Sequence, residues 1–153
     1  MTDLEFKELE EFDKLKTKVL KYVLYKKRTE KEIRQKFSEN AGNLLDNVIE
    51  YLREENYIND NIYIERSINE IKNLKNLSIK EIKYKLLAKG VSSNLIDDYI
   101  YTNKEEMLEY EINSAKNIIL KKSKLMEKED IINFLRKKGY MEETIKITGE
   151  DYD

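Results

Sequence analysis

Two helix-capping boxes and two glycine stops recur along this chain at one fixed interval, and that interval restricts the fold more than any other feature. Thr29 with Glu32 and Ser78 with Glu81 each match S/T-x-x-E, in which each side chain satisfies a free backbone N–H of a helix's first turn. Gly90 and Gly139 each follow a Lys-rich last turn, where a left-handed residue closes a helix. Both pairs are 49 residues apart, 29 to 78 and 90 to 139. On that interval Thr29-Glu-Lys-Glu-Ile-Arg-Gln-Lys-Phe37, Ser78-Ile-Lys-Glu-Ile-Lys-Tyr-Lys-Leu86 and Glu127-Lys-Glu-Asp-Ile-Ile-Asn-Phe-Leu135 fill one frame. A shorter segment follows each (Asn43 to Glu55, Ser93 to Tyr101, Met141 to Ile147), and a longer one precedes each, at about 14–27, 60–75 and 104–122.

The apolar positions agree with helices. Leu9, Phe12, Leu15, Val19, Tyr22 and Val23 recur at three- and four-residue steps, as do Ile64, Ile68, Ile71 and Leu74, the period of one helix face. Ile79, Ile82, Leu86 and Leu87 make a third stripe, and Met107, Leu108, Ile112, Ala115, Ile118 and Ile119 a fourth. The one strand-like stretch, Tyr57 to Ile64, is broken by Asn59, Asp60 and Asn61, which read as a turn and an N-cap with Asp60 as the cap. With no Pro and four Gly in 153 residues, the predicted fold class is all-α. A three-helix unit this small buries its apolar face poorly alone, so the expected architecture is three tandem three-helix repeats stacked into an elongated, curved array. The expected divisions are 1–13, an acidic N-terminal extension of the first helix; 14–57, 58–103 and 104–148, the three repeats; and 149–153, an acidic tail.

Composition removes several function classes. The chain has no Cys, His or Trp, so disulfides, Cys/His zinc sites and Ser-His-Asp or Cys-His catalysis are all excluded. No G-x-x-x-x-G-K-[ST] or G-x-G-x-x-G phosphate cradle is present. Acidic neighbours such as Asp97-Asp98, Glu105-Glu106 and Glu54-Glu55 point about 100° apart on a helix and share no face. We therefore expect a non-enzymatic protein with no metal and no cofactor. No run of about 18 apolar residues occurs, and the acidic start (Asp3, Glu5, Glu8) is unlike a signal peptide. The expectation is a soluble cytoplasmic protein without membrane contact, and a monomer.

Charge alternates along the chain. Residues 14–36 are net +8 (ten basic, two acidic), 37–65 net −6, 66–90 net +5, 91–111 net −5 and 112–138 net +5, with −5 at 1–13 and −4 at 139–153. The first two helices of each repeat thus tend to be basic and the third acidic. Such alternation serves equally as solvated helix faces that offset one another or as a docking surface whose charge sets on-rate and register. Thr29 to Glu55 also has the outline of a helix-turn-helix with Gly42 in its turn. Its second helix, however, carries Asp46, Glu50, Glu54 and Glu55 against Arg53 alone, a charge that DNA phosphates repel. A helical-repeat scaffold for some other protein is the remaining reading of the pattern.

Specific segments resemble the RecX family. Tyr57-Ile-Asn-Asp-Asn-Ile-Tyr-Ile-Glu-Arg66, followed by Ile82-Lys-Tyr-Lys-Leu-Leu-Ala-Lys-Gly-Val91, is similar to that family's aromatic-Ile-x-Asp-x-x-Tyr-Ala segment and its later Ile-x-x-x-Leu-x-x-Lys-Gly-Ile. Asp60, Tyr63, Ile82, Leu86, Lys89, Gly90 and Val91 stand in the matching places. Leu135, Gly139 and Tyr140 resemble the close of the third repeat, and Leu24 to Ile33 the family's opening. The likeness runs over about residues 14–148. It implies a regulator of the RecA recombinase that lies in the groove of the RecA–DNA filament, bridges protomers, and lowers ATP hydrolysis, strand exchange and co-protease activity in DNA repair and the SOS response.

For a surface of that kind the candidate partner-binding residues are the basic side chains of the central repeat, Arg66, Lys72, Lys75, Lys80, Lys83 and Lys85, then Arg28, Lys31 and Arg34 of the first. Arg66 and Arg34 rank first because a guanidinium makes fixed bidentate contacts with carboxylate or phosphate. These faces would meet the RecA filament and also offer contact to DNA phosphates. Thr29, Glu32, Asp60, Tyr63, Ser78, Glu81, Gly90 and Gly139 are read as structural, with Tyr63 in the core. The chain holds 11 tyrosines against 4 phenylalanines, and some are expected as interface anchors, since Tyr suits wet protein contacts.

Overall fold

A computed structural model describes residues 1–152, with side chains through residue 150. Among the described residues there are nine α-helices and no strand. They are α1 (Asp3–Tyr25), α2 (Glu30–Lys36), α3 (Asn43–Glu54), α4 (Asp60–Leu74), α5 (Ile79–Ala88), α6 (Ser93–Thr102), α7 (Lys104–Lys122), α8 (Lys128–Lys137) and α9 (Glu142–Tyr152), with one 3-10 turn at Ser38–Asn40. In chain order a long helix is followed by two shorter ones, three times over. Residues 149–152 continue α9, while Asp153, the end of the expected acidic tail, lies outside the described residues.

The chain divides into two compact units. The first comprises Met1–Tyr63 and Lys89–Val91; the second comprises Ile64–Ala88 and the residues from Ser92 onward. In the first, Leu15, Val19 and Val23 of α1 and Ile33 of α2 pack with Leu45, Val48, Ile49 and Leu52 of α3. Phe12 closes one edge of that core, with its ring 6.0 Å from Tyr51 in an edge-to-face pair. α3 stops at Asn56, whose positive φ of 64° reverses the chain while the Tyr57 amide donates to the Leu52 carbonyl at 2.8 Å. That left-handed stop explains why the β-prone residues after it do not form a strand.

In the second unit α7 packs against α5, α6, α8 and α9. Its buried face is correspondingly wide. Met107, Tyr110, Glu111, Ser114, Ala115 and Ile119 are all buried, whereas Leu108, Ile112 and Ile118 of the predicted stripe are half-buried. Ala115 and Ile119 meet Ile131 and Leu135 of α8, Tyr140 and Ile145 in one cluster. Three polar side chains on this face, Tyr110, Glu111 and Ser114, hydrogen-bond to residues outside α7, and these connections organise the unit.

Candidate interaction surface

The two capping hydroxyls do more than cap. Thr29 Oγ1 accepts from the Glu32 amide at 3.1 Å while Glu32 Oε1 accepts from the Thr29 amide at 3.1 Å. Ser78 and Glu81 reproduce the box at 3.0 and 3.1 Å. Each hydroxyl also donates its proton 60 residues ahead: Thr29 to the Lys89 carbonyl at 2.5 Å, and Ser78 to the Lys138 carbonyl at 2.7 Å. Both residues are fully buried. A hydroxyl accepts and donates at once, which is why Ser or Thr suits both positions. At Glu127, in the third copy of the frame, the side chain makes no cap hydrogen bond.

The carbonyls receiving these protons sit just before the two glycine stops. Gly90 and Gly139 have φ of 98° and 92°, a region costly for any residue with a Cβ. Space is equally restrictive. A Cβ at Gly90 would collide with the stem of Lys31, and one at Gly139 would lie 2.8 Å from Lys80 Cδ. Lys31 and Lys80 are therefore packed along their stems with their ammonium ends outward, the arrangement of a long cation lying over a surface.

A carboxylate completes each junction. Asp60, expected as the N-cap of its own helix, is instead the first residue of α4. Asn59 Oδ1 accepts from the Ile62 amide at 3.2 Å and does the capping. The Asp60 carboxylate turns to the start of α2 and accepts from the Glu30 amide at 3.3 Å. Burial raises the Asp60 carboxyl above the ordinary carboxylate value, against the lowering effect of that hydrogen bond. Glu111 holds the corresponding place in the second unit and does more. Its Oε2 accepts from the Ile79 amide at 2.8 Å, and its Oε1 from the Met141 amide at 2.9 Å and from Thr144 Oγ1 at 2.6 Å. One fully buried carboxylate thus joins the N-terminal ends of α5 and α9, where helix dipoles favour negative charge.

Tyrosine hydroxyls complete the polar core. Tyr110 accepts from the Leu77 amide at 3.0 Å and donates to the Lys75 carbonyl at 2.7 Å. Tyr140 shares a 2.7 Å hydrogen bond with Ser114, and burial pushes its hydroxyl far above the usual phenol value. No local pattern in the sequence marks Glu111, Thr144, Tyr110 or Tyr140 as polar core residues. Tyr63 is half-buried. Tyr25, Tyr84 and Tyr101 are the most exposed of the tyrosines with described side chains.

The candidate basic residues fall into three groups. Arg34, Lys72 and Lys83 are committed to carboxylates: Arg34 to Asp46 at 2.7 Å and Glu30 at 3.5 Å, Lys83 to Asp97 at 2.7 Å, and Lys72 to Glu106 at 3.8 Å. The Asp46 hydrogen bond raises the Arg34 guanidinium further above its usual value. Arg28, Lys31 and Lys80 pack by their stems or faces. The Arg28 guanidinium lies 4.1 Å over the Tyr22 ring, and its Nε is buried without a hydrogen-bond partner among the described residues. Arg66, Lys75 and Lys85 are exposed. They pair with no carboxylate among the described residues. The candidate cations of α5 do not form one face, because Lys85 stands about 140° round the helix from Lys80.

The acidic helix of the helix-turn-helix reading is also accounted for. Arg53, the one cation of α3, is held by Glu50 at 3.0 Å and by Glu30. No uncommitted cation remains on α3 to attract a phosphate. Among the described residues no group of three or more acidic, His or Cys side chains is placed to hold a metal ion. No helix there is long and apolar enough to cross a membrane.

Comparison with known proteins places this geometry. A protein named Regulatory protein RecX from Clostridium perfringens strain SM101 is 34% identical over 149 residues, covering 89% of this chain and 68% of that protein. This chain belongs to the RecX family. A second RecX from C. perfringens, strain 13, is 35% identical over 141 residues, covering 86% of this chain and 65% of that protein. RecX of Staphylococcus haemolyticus is 31% identical over 132 residues, 83% of this chain and 49% of that protein. The chain therefore spans about half the length of the staphylococcal relative and about two thirds of the clostridial ones. No protein-family model matches. The crystal structure of RecX from Lactobacillus salivarius superposes with a TM-score of 0.80 at 22% identity, over 95% of this chain and 98% of that one. That solved structure shares this chain's fold, and the sequence relatives are named as regulatory proteins.

Proposed function

We propose that this chain is a non-enzymatic regulator of the RecA recombinase that binds in the groove of the RecA–DNA filament. Bound there it bridges neighbouring protomers and lowers ATP hydrolysis, strand exchange and co-protease activity in DNA repair and the SOS response. Membership of the RecX family supports the choice of partner. The observation that carries the surface is the split among its cations: Arg66, Lys75 and Lys85 keep exposed charges without a carboxylate partner among the described residues, while Lys83 and Arg34 spend theirs internally.

Uncommitted cations on α4, just past its C-terminal end and on α5 suit an element held between two walls of a groove. An acidic recombinase surface would meet one set and the enclosed DNA phosphates another. The contact is electrostatic and weakens with salt. We take the chain to be cytoplasmic and, when dilute and free of its partner, monomeric, occupying one binding site per copy, with its three long-short-short helix sets as three repeats. The test is ATP hydrolysis by the cognate recombinase on single-stranded DNA, with this protein at sub-stoichiometric ratios. Turnover falls if the reading holds, and the ratio needed separates capping of filament ends from coating of the groove. Unchanged turnover would overturn it.

A further inference from the structure

The first two turns of α1 bury no side chain. Residues 1–11 are all exposed, and the first buried position of the helix is Leu15. An isolated helical stretch this short is marginal in water, although Thr2 caps it by accepting from the Glu5 amide at 3.1 Å. Phe6 and Leu9 are 64% and 52% exposed. They lie at three-residue steps on the ridge that reaches the core at Phe12, one side of the helix. Glu5, Glu10 and Asp13 fall beside that ridge at 100° per residue; Glu10 and Asp13 lie 3.5 Å from Lys14 and Lys16 in surface pairs of the kind worth little in water, and residues 1–13 carry net −5. An acidic ridge with an apolar crest repels nucleic acid and calls for a basic, apolar protein surface.

The chain presents such a surface at the C-terminal end of α7. Leu120 and Leu125 are 72% and 83% exposed. Between and beside them stand Lys121 and Lys124, exposed and paired with no carboxylate among the described residues. Residues 112–125 hold four lysines and no acidic residue. Two apolar side chains framed by cations therefore match two framed by carboxylates.

We propose that the N-terminal turns of α1 in one copy dock on the α7 end of a second copy, Phe6 and Leu9 against Leu120 and Leu125, with Glu5, and Glu10 in exchange for its exposed pair with Lys14, facing Lys121 and Lys124. The contact is heterologous, since each copy contributes a different patch and keeps the other free, so it propagates as an open series. It is weak in solution, and it strengthens when copies are held side by side on a common lattice, where the second contact becomes intramolecular. The proposal does not require that lattice to be a recombinase filament.

Sedimentation velocity over a wide concentration range, at low and at physiological salt, tests it. At low salt the weight-average mass of the wild type should climb past that of the 18.4 kDa chain as concentration rises, and fall back with added salt. F6A/L9A and K121E/K124E should each stay monomeric, and far-UV CD should be unchanged because all four side chains are exposed. An equimolar mixture of the two variants has one intact donor patch and one intact acceptor patch, and should form dimers and nothing larger. A wild type that remains monomeric throughout overturns the proposal. So does association that survives in K121E/K124E but not in F6A/L9A, which would place some other surface against α1.

Discussion

Replacing Glu111 should disrupt the second unit more than any other single polar substitution, and in an amide-specific way. The side chain is fully buried and accepts three hydrogen bonds of 2.6–2.9 Å without a cation beside it in that set. Glu111→Ala leaves the Ile79 amide, the Met141 amide and the Thr144 hydroxyl without their acceptor. Each unsatisfied buried donor costs about 1–3 kcal/mol. Met141 lies at the rim, where water can replace the acceptor, and the Thr144 hydroxyl can rotate. The sum is therefore about 3–5 kcal/mol, a large share of the ~5–15 kcal/mol that holds a domain folded. Glu111→Gln discriminates further. Its carbonyl keeps two donors by taking the place of Oε1, which sets its NH2 against the Ile79 N–H. The expected loss is about 1–3 kcal/mol, with faster hydrogen exchange at Ile79 and near-native protection at Met141. Urea unfolding followed by CD, with exchange resolved by residue, reads both. A loss under about 1 kcal/mol for Glu111→Ala, or equal exchange at the two amides in Glu111→Gln, would refute the reasoning.

Three further outcomes follow from the same junctions. Ser78→Asp keeps a cap acceptor but removes the proton given to Lys138, so it should lose stability even though Asp is as good an N-cap as Ser; a Ser78→Asp protein as stable as wild type in urea would mean that the second bond is idle. Gly90→Ala should cost more than Gly139→Ala, because the Cβ would meet the root of Lys31 in the first case and the movable Cδ of Lys80 in the second; both carry about 1–2 kcal/mol of backbone strain, and thermal melts compare them. For Asp60, whose carboxyl is raised by burial, the folded state holds the proton more tightly than the unfolded state. Its contribution to stability is thus largest at low pH and declines as pH rises from about 4 through the elevated folded value. Asp60→Asn should remove that decline, and parallel pH profiles of stability for variant and wild type would contradict it.

What the sequence discloses depends on how local each interaction is. The boxes at Thr29 and Ser78 and the stops at Gly90 and Gly139 are legible because their partners lie within four residues. The onward bonds from Thr29 to Lys89 and from Ser78 to Lys138 span 60 residues, and nothing local signals them beyond the preference for a hydroxyl. A sequence reading puts the cap of α4 at Asp60, one residue off, since Asn59, Asp60 and Asn61 are all competent caps and only the fold shows that Asn59 serves. Glu111 reads as one more surface acid in an acidic block until α5 and α9 are brought against it. Among the cations, Lys83 and Lys85 look alike in sequence. Only the position of Asp97, 14 residues on, separates the paired one from the unpaired one.

The most direct test of the account joins that separation to activity. Arg66→Glu/Lys75→Glu/Lys85→Glu reverses the uncommitted charges and should leave the helical CD signal intact. Recombinase ATP hydrolysis on single-stranded DNA is then measured with wild type, with this variant, and with Lys83→Glu/Asp97→Lys, which exchanges a pair that is already satisfied internally. The account predicts that inhibition disappears with the triple reversal and persists with the exchanged pair. Full inhibition by a folded triple variant would contradict it.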